Sequence, residues 1–373
     1  MNQNNLSSGY LSLKGLPKVG VKLFIMLLLS AVAFGVTGMG VILLMFTLSY
    51  VAVGRDSEAS HGISSTDSSR LGGLAIALVF VIYILGLAIG SPYTPGVARE
   101  SVFLYLWIAV GLCALLGLIE DMQADFLTPL LRLGLKFAVF GWLLWVAPQL
   151  LPRDIGVFGI DALLKIPVLA WVLATVFCVG FINAFNMADG ANGLIPGIAA
   201  ATFTVLFFEY GRPAEGLLMF VCVLFLIFNV VSGWYFLGDM GSYGLGSIIA
   251  CHGLLGVAQG DFSAGFMASM LAYPCVDFVF SVVRRAREGV SPFSADNGHL
   301  HNRLHRYYSQ FFESRVLPNS LTGLTISGST AGVCLLIYLF DGLAIESNAW
   351  FYVFFFETAV YFTVISVLRR RQD

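Results

Sequence analysis

Eleven apolar runs separated by short polar connections dominate this chain, near 23–50, 71–90, 101–119, 132–150, 166–183, 194–210, 215–236, 243–258, 263–283, 319–340 and 348–368. A helix that crosses a bilayer needs about 20 mostly apolar residues, and these runs approach or exceed that length. They are continuous and show no period-2 alternation, so helices are expected rather than a barrel. With 58% hydrophobic and only 11% charged residues and a mean hydropathy of +0.85, the chain needs lipid as its solvent. The expected fold is therefore all-α, a polytopic integral membrane helix bundle of about eleven transmembrane helices. The first run is too long for a signal-peptide core and is expected to stay as a helix. The eighth, short and rich in glycine, has the least defined ends.

Lys and Arg in the loops give the orientation. Connections after odd-numbered runs, with the C-terminal tail, carry Arg55, Arg70, Arg284, Arg285, Arg287, Arg303, Arg306, Arg315 and Arg369 to Arg371. Those after even-numbered runs carry only Arg99, Arg153, Lys165 and Arg212. The odd connections and the C-terminus are thus expected in the cytoplasm and the N-terminus outside, although Lys14, Lys18 and Lys22 precede the first run. A single domain over 1–373 is expected, because the longest polar connection, about 284–318, is too short for another. The six cysteines fall one per run with no CxxC pair and read as buried thiols. The net charge of −2 argues neither for nor against nucleic acid, and none is expected as a partner.

Four polar motifs sit in odd-numbered connections, hence on one membrane face. They are Glu120-Asp121, the stretch from Asn183 to Leu194, Gly238 to Gly246, and Asp296 to Arg303. Carboxylates and amides gathered there are costly unless a metal or a phosphate holds them together. Arg132 and Lys136 follow the first motif at i, i+4, on one helical face. Asn183, Asn186 and Asp189 recur every three residues, which places them near one face of a helix end. The glycines around Asp239, at a helix start, suit phosphate oxygens, and Asp239 offers the hard oxygen that magnesium prefers. Asp277 and Arg284, seven apart, share a face near the last motif. His299 and His301 lack the third well-spaced ligand of a zinc site and read as phosphate or uridine contacts.

These ordered motifs, from about Arg55 to Arg306 and including Leu71-Gly72-Gly73-Leu74, resemble the polyprenyl-phosphate N-acetylhexosamine-1-phosphate transferases. The segment from Ser291 to Asp296 leading into His299-Leu300-His301 is similar to the undecaprenyl-phosphate N-acetylglucosamine-1-phosphate transferase branch. Glu120, Asn192 and Asn302 stand where the family usually has Asp, Asp and His. The resemblance implies transfer of a sugar-1-phosphate, N-acetylglucosamine-1-phosphate by default, from a UDP-N-acetylhexosamine to undecaprenyl phosphate with release of UMP. That would be the first membrane step of a surface polysaccharide such as O-antigen, in the bacterial inner membrane. It further implies magnesium, with manganese as the alternative ion, held by Asp239 and Asn186. Asp121 would orient the attacking lipid phosphate beside Glu120. Asn183, Asp189 and Asn192 would hold the uridine side, and Arg132, Lys136, His299, His301 and Arg303 the phosphates. Asp277 and Arg284 join the substrate-binding set, and a homodimer is the candidate assembly. The competing expectations are a pseudoenzyme that binds lipid phosphate or nucleotide without turnover, motivated by the three departures, and a transporter. A transporter would keep its polar groups near mid-membrane and show internal repeats. Glu357, inside the last run, and His252, inside the eighth, are read as packing residues.

Overall fold

The computed structural model describes residues 16–50, 55–56, 68–90, 101–123, 126–291 and 296–372. His61, whose position resembles the family's first-loop His, and Asp125, one turn beyond Glu120-Asp121, lie outside the described residues. The helices are α1 (Leu16–Leu48), α2 (Gly72–Gly90), α3 (Ser101–Met122), α4 (Pro129–Val146), α5 (Phe158–Leu164), α6 (Pro167–Ala188), α7 (Leu194–Tyr210) and α8 (Pro213–Ser232). There follow α9 (Gly238–Gln259), α10 (Ala264–Met270), α11 (Ala272–Arg287), α12 (Leu300–Tyr308), α13 (Val316–Ser327), α14 (Val333–Leu339) and α15 (Trp350–Gln372). In lipid every backbone N–H and C=O must find an internal partner, so each apolar run closes on itself as a helix. Proline opens α4, α6 and α8, where its missing N–H costs nothing.

Eight membrane-length apolar helices are present among the described residues, with α13 and α14 counted as one. The pair α10–α11 makes a ninth if taken as a single bent span, and α2 and α7 are shorter apolar helices. Each falls on one of the eleven expected runs, and the chain is a multi-pass membrane protein. Its lipid-facing surface is apolar: Val32, Trp145, Tyr352, Phe355 and Phe356 are all exposed. In the aromatic run of α15, Tyr352, Phe355 and Phe356 face outward, while Phe351 packs on Gly265 and Phe354 lines a groove with Cys275 and Phe280. The six cysteines are free thiols, five of them buried.

Three spans depart from simple rods. The ninth bends by 79° between α10 and α11, next to Pro274, which donates no N–H and so suits a fresh helix start. The tenth carries a π-helical turn, Gly328–Gly332, between α13 and α14. The eighth begins at Gly238, several residues before its expected start. Every residue of α9 from Met240 to Gly256 is buried. Its most extensive partner is α3, with α6 and α2 beside it.

The two ends of α9 differ. At the first, a two-residue antiparallel pair, β1 (Arg55–Asp56) with β2 (Ser68–Ser69), lies beside the α8–α9 link. Phe236 N–H donates to Ser69 O at 2.8 Å, and Gly73 N–H to Leu237 O at 2.7 Å. These bonds tie the start of α2 to the residue before α9. At the far end, His252 bonds Glu215 at 3.0 Å and the Ile248 carbonyl at 3.0 Å, the packing role expected of it. Glu357 likewise packs, accepting from the Cys334 thiol of α14 at 3.6 Å.

Candidate active site

The end of α3 is clamped to the start of α9. Asp121 takes Asp239 N–H on one oxygen at 2.9 Å and Met240 N–H on the other at 2.8 Å. A helix leaves its first N–H groups unpaired, and a carboxylate both satisfies them and suits the positive end of the dipole. Gly238 makes the approach feasible. Its φ is +73°, and a Cβ there would lie 2.1 Å from Arg70 O and 2.7 Å from Asp121 Oδ2. The glycine motif is therefore the first turn of α9 itself. Two of the amides expected to await phosphate are taken by Asp121, which gives that residue a structural duty beside the expected one.

Asp239, fixed in this way, faces the end of α6. Asn186 donates its amide hydrogens to Asp239 Oδ1 at 2.8 Å and to Ser242 Oγ at 2.9 Å. One turn earlier, Asn183 Oδ1 accepts from Lys136 Nζ of α4 at 2.7 Å. Lys136 is buried and sits 3.7 Å above the Tyr243 ring. Asp189, at the C-cap of α6, accepts from Gly238 N–H. Burial raises its carboxyl, and the charges of Asp239 and Asp121 push it further, to about 8. The spacing of three thus places Asn183 and Asn186 on the face that meets α4 and α9, and Asp189 at its end.

The histidine motif closes the site from α11 and α12. His299 Nδ1 lies 2.5 Å from Asp277 Oδ2, and the other Asp277 oxygen accepts from Leu300 N–H at 3.1 Å and Tyr361 O–H at 2.8 Å. His301 stacks on His299 with centroids 5.3 Å apart. Its Nε2 abuts Gly190, where a Cβ would come within 2.3 Å. Arg284 pairs with Asp296, which also accepts from Ser281 Oγ at 2.7 Å and Gly298 N–H at 2.7 Å. Burial alone would raise the Asp296 carboxyl, but the Ser281 hydroxyl, the Gly298 amide, His299 and Arg284 together hold it at about 2.

Other expected residues stand apart from this cluster. Glu120 accepts from Arg132 at 3.0 Å and from Leu127 N–H at 3.3 Å, so this pair braces the α3–α4 turn. Asn192 is buried among Asn229, Asn319 and Ser320: its N–H donates to Asn319 Oδ1 at 2.9 Å, and its side-chain amide meets Ser320 and Asn229. In the structure it joins α7, α8 and α13 rather than lining the cleft. Arg303 is half-buried on α12. Ser242 and Tyr243, inside the Gly238–Gly246 motif, belong to the site's framework, as do Tyr273 and Tyr361, which carried no motif signal because a single hydroxyl inside an apolar run looks like packing. Among the described residues no three His, Cys, Asp or Glu side chains converge to hold a metal. Asp239 offers a hard carboxylate oxygen of the kind magnesium takes, while Asn186 turns its NH2 group toward Asp239 and Ser242, so its amide would have to turn over to present an oxygen there.

The site gathers at one end of a membrane helix bundle, where the ends of α3 and α6 meet the start of α9. Residues 103–257 match the family model described as glycosyl transferase family 4. The chain is 27% identical over 247 residues to the undecaprenyl-phosphate alpha-N-acetylglucosaminyl 1-phosphate transferase of Thermotoga maritima, covering 66% of this chain and 70% of that one. The decaprenyl-phosphate N-acetylglucosaminephosphotransferase of Mycolicibacterium smegmatis is 25% identical over 344 residues, 82% of this chain and 79% of that one. The phospho-N-acetylmuramoyl-pentapeptide-transferase of Gloeothece citriformis is 29% identical over 240 residues, 61% of this chain and 63% of that one. The chain is thus similar, over part of its length, to polyprenyl-phosphate sugar-phosphate transferases.

Proposed function

We propose that the protein transfers N-acetylhexosamine-1-phosphate, N-acetylglucosamine-1-phosphate by default, from a UDP-sugar to undecaprenyl phosphate and releases UMP. The reaction would open the assembly of a surface polysaccharide such as O-antigen. The excess of Lys and Arg in alternate connections supports a cytoplasmic site in a bacterial inner membrane. The observation that carries the reading is the Asp239–Asn186 contact at 2.8 Å beside the Lys136–Asn183 contact at 2.7 Å. An acidic oxygen site and a buried ammonium lie side by side, which suits two phosphates brought together.

Asp239 and the Asn186 amide oxygen would hold magnesium, with manganese the alternative. Bound there, the ion supplies charge neutralisation between the two phosphates. The protein's own groups do the rest. Asp121 fixes the turn that presents Asp239 and orients the attacking lipid phosphate by accepting a hydrogen bond from its P–OH on a lone pair left by the amide bonds. Glu120 steadies Arg132. Lys136, Arg132, His299, His301 and Arg303 grip phosphate oxygens, Asn183 and Asp189 serve the uridine side, and Asn192, buried between α7, α8 and α13, holds the turn behind them. Asp277 and Arg284 hold the histidine loop, and two copies of the chain would form the assembly. The attacking lipid phosphate oxygen forms a bond to the β-phosphorus of the UDP-sugar, and the bond to the α-phosphate oxygen breaks. UMP takes that oxygen away.

The test uses purified protein, undecaprenyl phosphate, magnesium and a panel of UDP-N-acetylhexosamines, with UMP release as the readout and EDTA as control. Release with one donor that EDTA abolishes is the expected outcome. Nucleotide binding with no release from folded protein would instead indicate a binding protein.

A further inference from the structure

Two tyrosines stand behind the histidine pair, Tyr361 on α15 and Tyr273 on α11. Tyr361, on α15, donates to Asp277 Oδ1, the carboxylate whose other oxygen holds His299 Nδ1. Tyr273, on α11, accepts His301 N–H at 3.3 Å and lies 2.8 Å from His301 Nδ1. The hydrogens can be placed from these partners. An ionised carboxylate offers only lone pairs, so His299 Nδ1 must carry its hydrogen. The Tyr273 oxygen already accepts from an amide, and its own hydrogen needs an acceptor in a buried site. The acceptor within reach is His301 Nδ1. The ring hydrogen of neutral His301 therefore sits on Nε2, the nitrogen that abuts Gly190.

We propose that Tyr273 and Tyr361 are positioning residues that fix where the two histidines carry hydrogen, His301 as an Nε2–H donor facing the Gly190 turn and His299 as an Nδ1–H ring anchored on Asp277, with its Nε2 3.6 Å from Asp296. The inference rests on the reading that these histidines meet substrate phosphates. An anion arriving at His301 would then find a hydrogen rather than a lone pair, with no rearrangement needed during the reaction. The charged and titratable groups around the pair are Asp277 and Arg284 on α11, Asp296 in the loop, His305 and Arg303 on α12, Asp189 at the end of α6 and Tyr361 on α15. Burial drives the His301 ring down to about 4, so the neutral form persists where the enzyme works. The lock is thus one of tautomer, not of charge.

The test uses full-length protein with 15N-labelled histidine in lipid nanodiscs, the His301 signals being assigned by their loss in His301→Gln. Wild type should show an unprotonated Nδ1 and a protonated Nε2 at His301. Tyr273→Phe should move hydrogen to Nδ1 and lower UMP release about tenfold, the scale of one hydrogen bond lost from a transition state. In a His301→Gln background the same change should cost less than about twofold, because a glutamine amide has no tautomer to fix. Tyr361→Phe should leave the His301 tautomer alone and weaken the His299 Nδ1–H signal. Wild type with hydrogen on His301 Nδ1 would overturn the proposal. So would a Tyr273→Phe protein that loses thermal stability while its tautomer and turnover stay as in wild type. If the tautomers are as expected but no donor yields UMP, the functional reading fails and the lock stands.

Discussion

Gly190 and His301 share one surface: a Cβ on Gly190 would come within 2.3 Å of His301 Nε2. The turn that ends α6 and the ring on α12 are thereby held in contact. Gly190→Ala should displace the ring and cut UMP release by up to about 10²-fold, the scale of a misplacement near 1 Å. Its thermal midpoint in detergent should also fall, because the buried ring is held by Tyr273 and stacked on His299. Wild-type turnover in Gly190→Ala would show that the contact does not matter to the reaction.

Asp121 joins two helices through the backbone of a third motif. Asp121→Ala strands two buried N–H groups at the head of α9, each worth about 1–3 kcal/mol. A lower midpoint in thermal unfolding, followed by tryptophan fluorescence, is expected. Asp121→Asn keeps one acceptor oxygen and should fall between wild type and alanine. An unchanged midpoint for alanine would mean that water replaces the carboxylate.

Asp239→Ala should lose several kcal/mol of transition-state stabilisation, on the general scale of metal-assisted phosphoryl chemistry. EDTA should likewise stop UMP release from wild type, with magnesium restoring it. Titrating magnesium against Asn186→Ala should show a higher half-saturating concentration. Turnover near wild type in Asp239→Ala at saturating magnesium would move the metal site elsewhere.

Lys136 touches Asn183 with one ammonium and lies against the Tyr243 ring, so its cavity fits a point charge rather than a planar fork. Lys136→Met should abolish turnover, and Lys136→Arg should fail to restore it. An active arginine variant would show that charge alone suffices.

Acid stability offers a further check. His301 has its folded value lowered to about 4 from 6.5 by burial, against the pull of Asp277 and Asp296. Above the unfolded value the ring is neutral in both states and adds no pH dependence. As pH falls from about 6.5 toward 4 the unfolded chain binds a proton that the folded chain refuses, so stability declines across that window. The neighbours His299 and His305 carry charge of the same sign when protonated and reinforce the trend. His301→Gln should flatten this part of the profile, measured as thermal midpoint against pH.

Much of the architecture was legible because lipid imposes one rule on every span, closing each backbone hydrogen bond within a helix. Hydropathy reports length, however, and not direction. The 79° bend at α10–α11 and the π turn at Gly328–Gly332 arise from local backbone choices inside runs that look uniform. In the site, the three-residue spacing of Asn183 and Asn186 carried real geometry, since both reach across to facing helices. Asn192 stands one step beyond and looked alike in sequence, yet Asn229 and Asn319 from other helices draw it inward. The capture of the α9 amides by Asp121 was equally hidden, because nothing local to Gly238 names a partner on α3.

The enclosure of α9 from Met240 to Gly256 also bears on how the protein is made. Rich in glycine and serine, this segment is the least hydropathic of the membrane-length helices and has less of its own than the others with which to hold a place among acyl chains. Its neighbours α2, α3 and α6 all precede it in the chain, so they leave the ribosome first. By the time α9 emerges, the walls of its berth have been synthesised, and the order of the gene is also a workable order of assembly.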